Sequence, residues 1–110
     1  MPEPIIICLH QPALELAEKV ASLCDGEVHG LQSRVNTIPE TFEKTKEHLQ
    51  DLFQKGHPLV GICSSGILIR SLADVLSDKH TEPPVLAVSE DGSCVIPLLG
   101  GHHGANDLAR

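Results

Sequence analysis

The sequence PIIICL, from Pro4 to Leu9, is a continuous apolar run rich in β-branched residues. Such a run predicts a β-strand buried on both faces, which is typical of parallel sheets. A second run of this kind, PLVGIC, extends from Pro58 to Cys63. Because buried strands of this type need helices on both sides of the sheet, the two runs indicate an α/β protein.

Helical patterns alternate with these strands along the chain. Three helices are predicted: from near Pro12 to Asp25, from a capping box at Thr37–Glu40 to about Lys55, and from Ser64 to about Ser77. Glu27 to Leu31 is a further short strand. Near the end of the chain, Glu90-Asp91-Gly92 separates two apolar runs and predicts a β-hairpin. The expected fold is a Rossmann-like, three-layer α/β domain over residues 1–110, with a mostly parallel sheet and a C-terminal β-hairpin.

Composition excludes several classes of partner. The 110 residues carry a formal net charge of -7, and the aromatic side chains are two phenylalanines without Trp or Tyr. A chain without a basic cluster or stacking aromatics is not expected to bind nucleic acid. The apolar runs are too short to span a membrane, and the four cysteines form no C-x-x-C pair. We therefore expect a cytoplasmic protein with reduced thiols.

The turn Cys63-Ser64-Ser65-Gly66 joins a buried strand to a helix, and it is the first candidate binding site. In open α/β sheets, ligands bind at the carboxyl ends of the strands. Free amides at a helix start, here from Ser64, Ser65 and Gly66, suit a carboxylate or a phosphate. The alternative is a serine that caps the helix without any ligand. The nucleotide-binding glycine motifs are not present in this turn.

The second candidate is the glycine-rich segment GGHHGAN, residues 100–106. Its three glycines favour close approach of the backbone to a ligand, and its histidines suit anion binding or acid–base chemistry near neutral pH. The candidate residues are Gly100, Gly101, His102, His103, Gly104 and Asn106. The alternative is an exposed loop that has no ligand. This segment predicts the start of a helix shortly before the last residue, so we expect a fragment of a longer protein.

Arg70 is the last candidate binding residue. A guanidinium two turns into the third helix has the reach to bind a carboxylate at the strand ends. An ion pair between Arg70 and Asp74, four residues further along the helix, explains the arginine equally well. No metal site is expected, because no spacing of cysteine, histidine and acidic residues supports one.

Residues 61–110 resemble the N-terminal region of the CbiG family of cobalamin biosynthesis, the cobalt-precorrin-5A hydrolases. The matching features are Ser65-Gly66, Ile69-Arg70, the strand from Pro84 to Val88, the turn Glu90-Asp91-Gly92, and Gly100 to Asn106. The sequence departs from the family pattern at Gly100, where serine is common, and at Ser89, where an aspartate often stands. Residues 1–60 agree with the family in layout only.

The resemblance implies an enzyme that opens the δ-lactone of cobalt-precorrin-5A with water and releases acetaldehyde. It implies a cobalt-precorrin or precorrin macrocycle as the partner, bound through its peripheral carboxylates, with His102 as the catalytic residue. No cofactor is expected for this domain. The same module also resembles the N-terminal part of fusion proteins that join CbiG to a precorrin-3B C17-methyltransferase. Such a methyltransferase domain would use S-adenosylmethionine. An accessory corrinoid-binding module and a domain that mediates homodimer contacts are the alternatives to the hydrolase.

Overall fold

The structure, a computed structural model, describes residues 2–35, 37–76 and 82–99. Within these residues the strands are β1 (Ile5–Cys8), β2 (Glu27–Leu31), β3 (Thr41–Phe42), β4 (Leu59–Ile62), β5 (Val85–Val88) and β6 (Val95–Leu99). The helices are α1 (Leu14–Cys24), α2 (Thr45–Gln54) and α3 (Ser65–Leu72). A 3₁₀ turn, Gln11–Ala13, precedes α1, and a second one, Ala73–Val75, follows α3.

The described strands form one sheet in the order β3-β2-β1-β4-β5-β6. The first five strands are parallel, and β6 pairs antiparallel with β5. β1 lies between β2 and β4, and all four of its residues are buried. The predicted double-sided burial of PIIICL therefore follows from its central place in the sheet.

The sheet separates two apolar cores. Ile5 and Ile7 face the core beneath α2 and α3, whereas Ile6 and Cys8 face the core beneath α1. Leu49, Leu52 and Phe53 from α2 and Leu68 and Leu72 from α3 complete the first core. Ala13, Leu14, Ala17 and Ala21, from α1 and the turn before it, belong to the second. These layers confirm the three-layer α/β prediction.

The predicted β-hairpin is confirmed. The Ser89 amide donates to the Cys94 carbonyl over 3.0 Å, and Gly92 adopts a φ of 77° in the turn between β5 and β6. Glycine reaches such positive φ values without steric cost, which explains why Asp-Gly was a reliable signal here.

The predicted capping box at Thr37–Glu40 is wrong, and α2 begins only at Thr45. The Thr37 hydroxyl accepts a hydrogen bond from the Gln11 side chain instead of capping a helix. The Glu40 carbonyl accepts from the Gly30 amide over 3.0 Å, and Thr41 and Phe42 pair with β2. Backbone pairing with β2 and burial of Phe42 thus override the local helix signal.

The third helix is shorter than predicted, since α3 ends at Leu72 and continues only as the 3₁₀ turn to Val75. In residues 2–35, 37–76 and 82–99, no helix has the length and apolar character that crossing a bilayer requires.

Candidate functional site

The carboxyl ends of β1 and β4 meet at the centre of the sheet. The connection after β1 leads to β2 on one side, and the connection after β4 leads to β5 on the other. Connections that diverge in this way leave a crevice, and ligands of open α/β sheets bind there. We call this end of the parallel strands the carboxyl edge. The residues after β1 and β4 are therefore the first place to look for a site.

α3 begins directly at the carboxyl edge. Ser64 is the residue before the helix, with extended backbone angles, and its side chain makes no capping hydrogen bond. Ser64 is exposed, while Ser65 and Gly66 are half-buried. The simple capping alternative for Ser64 is therefore not what the structure shows. The first turn of α3 begins at the carboxyl edge, where the free amides of a helix start suit an anion.

Arg70 folds back toward the start of its own helix. Its Nη2 lies 3.5 Å from the position that a Cβ on Gly66 would occupy. Asp74, the alternative partner, instead binds Lys46 with an N–O distance of 2.9 Å. Within the described part of the chain Arg70 makes no ion pair, so its exposed guanidinium is available beside the helix start.

A histidine and a glutamate pair at the same edge. His10 follows β1 and Glu90 follows β5, and His10 Nε2 lies 2.6 Å from Glu90 Oε2. Neither residue was predicted as part of the site, and Glu90 was attributed to the hairpin turn. The available signal was position, since each residue lies two positions after the end of a buried strand. Their pairing depends on strand order, which sequence patterns did not reveal.

The two cysteines near this edge are poor nucleophiles. Burial, and secondarily the charge of Glu90, raises the pKa of Cys63 to about 11. Burial also raises the pKa of Cys8, whose thiol donates to the His10 carbonyl over 3.3 Å. Because the thiolate is the reactive form, both side chains act as small apolar groups, as expected.

The structure brings Ser64, Ser65, Gly66 and Arg70 together. The other predicted site residues lie outside the described residues: Gly100, Gly101, His102, His103, Gly104 and Asn106. Leu99, the last described residue, pairs with Val85 at the start of β5. β6 therefore ends at the edge opposite Ser64 and Arg70. The association of the two predicted motifs in one site stays a prediction.

These features define a three-layer α/β domain with a candidate anion-binding crevice at the carboxyl edge. A family model described as "Cobalamin synthesis G N-terminal" matches residues 47–110. The chain belongs to this family, which confirms the resemblance to CbiG.

Two curated relatives and one solved structure are similar to this chain. It is 41% identical over 63 residues to a cobalt-precorrin-5A hydrolase of Priestia megaterium, a match that covers 56% of this chain and 17% of the relative. It is 45% identical over 53 residues to a cobalt-precorrin-5A hydrolase of Salmonella typhimurium, a match that covers 47% of this chain and 15% of the relative. The alignments thus span less than a fifth of either relative.

The solved structure is a crystal structure of a cobalamin biosynthesis protein G homologue from Sulfolobus solfataricus. It superposes with a TM-score of 0.69 and 24% identity, and the match covers 98% of this chain and 32% of that one. At this identity the likeness shows the fold, including residues 1–60, for which the sequence indicated only a common layout.

Proposed function

We propose that this chain is the N-terminal α/β domain of a cobalt-precorrin-5A hydrolase of cobalamin biosynthesis. In this reaction water adds to the carbonyl carbon of the δ-lactone and the ring C–O bond breaks, which gives a carboxylic acid and an alcohol. The alcohol then loses its proton as the C–C bond to the macrocycle breaks, so that the two-carbon fragment leaves as acetaldehyde and the electron pair of that bond, with a proton, stays on the macrocycle. Family membership and the hydrolase names of both curated relatives support the proposal. The same names favour it over an accessory domain of a methyltransferase.

The observation that carries the proposal is the position of Arg70 over Gly66 at the start of α3. The substrate is a flat macrocycle with acetate and propionate groups around its rim. A guanidinium that makes no ion pair with another described residue, placed beside helix N-terminal amides, matches one such carboxylate, since a guanidinium binds carboxylate oxygens in a bidentate way. Arg70, Ser64, Ser65 and Gly66 would therefore orient the macrocycle at the crevice.

The pair of His10 and Glu90 supplies acid–base chemistry at the same crevice. Glu90 contacts Nε2 of His10, which leaves Nδ1 as the ring nitrogen that can exchange a proton with water or a leaving oxygen. This arrangement resembles the use of a carboxylate to orient a histidine base. His10 thus joins His102 as a candidate for this role.

Substitution of Arg70 tests the proposal in the complete natural polypeptide. For Arg70→Gln we expect KM for cobalt-precorrin-5A to rise at least tenfold, because a charged hydrogen bond contributes about 1.5–3 kcal/mol. Since Arg70 is proposed to bind a remote carboxylate, kcat should change much less. Acetaldehyde release measures turnover. Lys55→Gln is the matched control, because it removes one positive charge beyond the end of α2, at the opposite edge of the sheet.

Equal KM values for the Arg70→Gln variant, the Lys55→Gln variant and the parent protein would refute the role of Arg70. A parent protein that releases no acetaldehyde from the lactone would refute the hydrolase itself. His10→Gln and His102→Ala, compared in the same assay, distinguish the two candidate bases by their effect on kcat.

A further inference from the structure

A second cluster of polar residues lies on the outer strands, away from the crevice. Glu27 and His29 are two residues apart on β2, so their side chains share one face of the sheet. Glu40 directly precedes β3, and its carbonyl is hydrogen-bonded to Gly30 of β2. One ligand atom from each of Glu27, His29 and Glu40 lies within 4.8 Å of the other two.

The imidazole of His29 is held in a fixed orientation. Its Nδ1 lies 2.8 Å from Nε2 of His48 on α2, and its Nε2 lies 3.0 Å from Oε1 of Glu27. The His48 ring is itself stacked on Phe42, with centroids 4.5 Å apart and planes 9° apart. The His29 side chain is only 13% exposed. Packing therefore directs Nε2 of His29 toward the carboxylates and keeps it there.

The charge of this cluster is not balanced by a nearby cationic side chain. Among the described residues, the ion-pair partner of Glu27 is His29, and Glu40 has none. The whole chain, including this cluster, has a formal net charge of -7. Two carboxylates and one imidazole in such surroundings favour a bound cation.

We propose that Glu27, His29 and Glu40 form a binding site for a divalent transition-metal ion of the Zn²⁺ class. Ligand atoms lie about 2.0–2.2 Å from Zn²⁺, so neighbouring ligands of a tetrahedral ion are about 3.4 Å apart. Glu27 and His29 are already near this spacing. Glu40, which is exposed, lies within 4.8 Å of the other two ligands and therefore needs to move its carboxylate by at most about 1.4 Å to complete the set.

The surroundings suit such an ion. Glu40 is exposed and Glu27 is half-buried, so water reaches the ion as a fourth ligand. A donor set with one imidazole favours Zn²⁺ or Co²⁺ over Mg²⁺ and Ca²⁺, which prefer oxygen ligands. His48 is the supporting partner, because a histidine that binds a metal usually donates its other ring N–H to a neighbouring group.

Metal binding changes the tautomers of both histidines. Without a metal, the neutral pair is satisfied when His48 Nε2–H donates to His29 Nδ1 and His29 Nε2–H donates to Glu27. A metal on Nε2 of His29 displaces that proton, so Nδ1–H of His29 must then donate to Nε2 of His48. The site is thus marked by a coupled change at two histidines, which unspecific binding at surface carboxylates would not produce.

Calorimetric titration of the reduced 110-residue protein with Zn²⁺ tests the site. We expect one equivalent to bind, Mg²⁺ not to compete, and Glu40→Gln to weaken the affinity at least tenfold. The exposed carboxylate Glu15→Gln is the matched control and should bind as the parent does. Because Glu40 is exposed, its substitution leaves the core intact, which circular dichroism verifies.

Nitrogen-15 NMR of the histidine rings gives a second readout. We expect Zn²⁺ to convert His29 to the Nδ1–H form and to shift the His48 ring signals with the same stoichiometry. Equal Zn²⁺ affinities of the Glu40→Gln and Glu15→Gln variants would overturn the proposal. So would zinc uptake that leaves the His29 ring signals unchanged, since the ion would then reside elsewhere, for example on a cysteine.

Discussion

At the scale of single residues, Asp91 shows how one carboxylate organises the β5–β6 turn. Its Oδ1 accepts hydrogen bonds from the Ser93 hydroxyl at 2.7 Å, the Ser89 hydroxyl at 2.8 Å and the Ser93 amide at 2.9 Å. These bonds, those from Ser93 foremost, lower the pKa of Asp91 to about 2. Hydrogen bonds to a carboxylate stabilise its charged form, so the stability of the turn depends on the ionisation of Asp91.

The lowered pKa of Asp91 predicts a specific loss of stability in acid. An aspartate in an unfolded chain has a pKa of about 3.9. The contribution of Asp91 is therefore fully present above this pH and is lost as the pH falls toward 2. The free energy of unfolding of an Asp91→Asn variant should fall less steeply between pH 5 and pH 2 than that of the parent. Urea unfolding at several pH values measures it.

Glu43→Gln provides the comparison, because it removes an exposed carboxylate that lies outside the β5–β6 turn. Its unfolding should follow the pH dependence of the parent protein. If the Asp91→Asn variant loses stability in acid as steeply as the parent does, the turn is not controlled by this carboxylate.

The candidate site was only partly predictable from the sequence, and the reason is physical. Ser64, Gly66 and Arg70 were predicted because their residue types are informative at a strand-to-helix junction. The pairing of His10 with Glu90 requires β1 and β5 to end at one edge on either side of β4, which is a tertiary property. His29 on β2 and His48 on α2 likewise come together only in the tertiary structure. Their spacing in the sequence therefore did not indicate that they form a cluster.

At the scale of elements, the contact between β4 and α3 explains the glycine within PLVGIC. A Cβ on Gly61 would lie 2.8 Å from Cδ2 of Leu68, a side chain that is fully buried. Such a separation is shorter than any real contact, so the helix can pack this closely only against glycine. The position of α3, and with it the start of the candidate anion site, depends on Gly61.

We predict that Gly61→Ala destabilises the protein by about 1–3 kcal/mol, the usual cost of overpacking a core. Gly66→Ala is the matched control, since the nearest neighbour of its added methyl group is the flexible Arg70 side chain at 3.5 Å. An alanine is also favoured over glycine within a helix. Thermal and urea unfolding compare the two. Equal stabilities would mean that α3 moves freely on the sheet.

The elements themselves were predictable to different degrees. β1, β4 and α1 followed from apolar runs and helical periodicity, because burial in these elements is extensive and regular. The chain between β2 and α2 was misread, because its helix-start signal is local and weak. Pairing of Thr41 and Phe42 with β2, together with burial of the Phe42 ring, outweighs that signal.

At the scale of the whole molecule, the charge of the chain opposes the proposed substrate. The net charge of -7 repels a polycarboxylate at long range, whereas Arg70 attracts it only at contact. Raising the ionic strength from 0.01 M to 0.15 M shortens the screening length from about 30 Å to about 8 Å. The proposed site must therefore capture its ligand against a repulsive field.

We predict that the association rate of a polycarboxylate corrinoid rises with salt over this range. Stopped-flow absorbance with cobyrinic acid measures the rate, and a corrinoid with amidated side chains, which lacks the repelled charges, should show little change. A rate that falls with added salt would contradict the prediction and show that the local positive field at the carboxyl edge dominates the encounter.

The central place of β1 also has a consequence for the order of events during synthesis. β1 leaves the ribosome before every other described strand, yet its partner β4 is made more than fifty residues later. Until then Ile5 and Ile7 have β2 but not β4 beside them, and α3, which covers the same core, is made later still. The nascent chain therefore carries an apolar central strand before the core around it is complete, and exposed apolar surface of this kind favours aggregation.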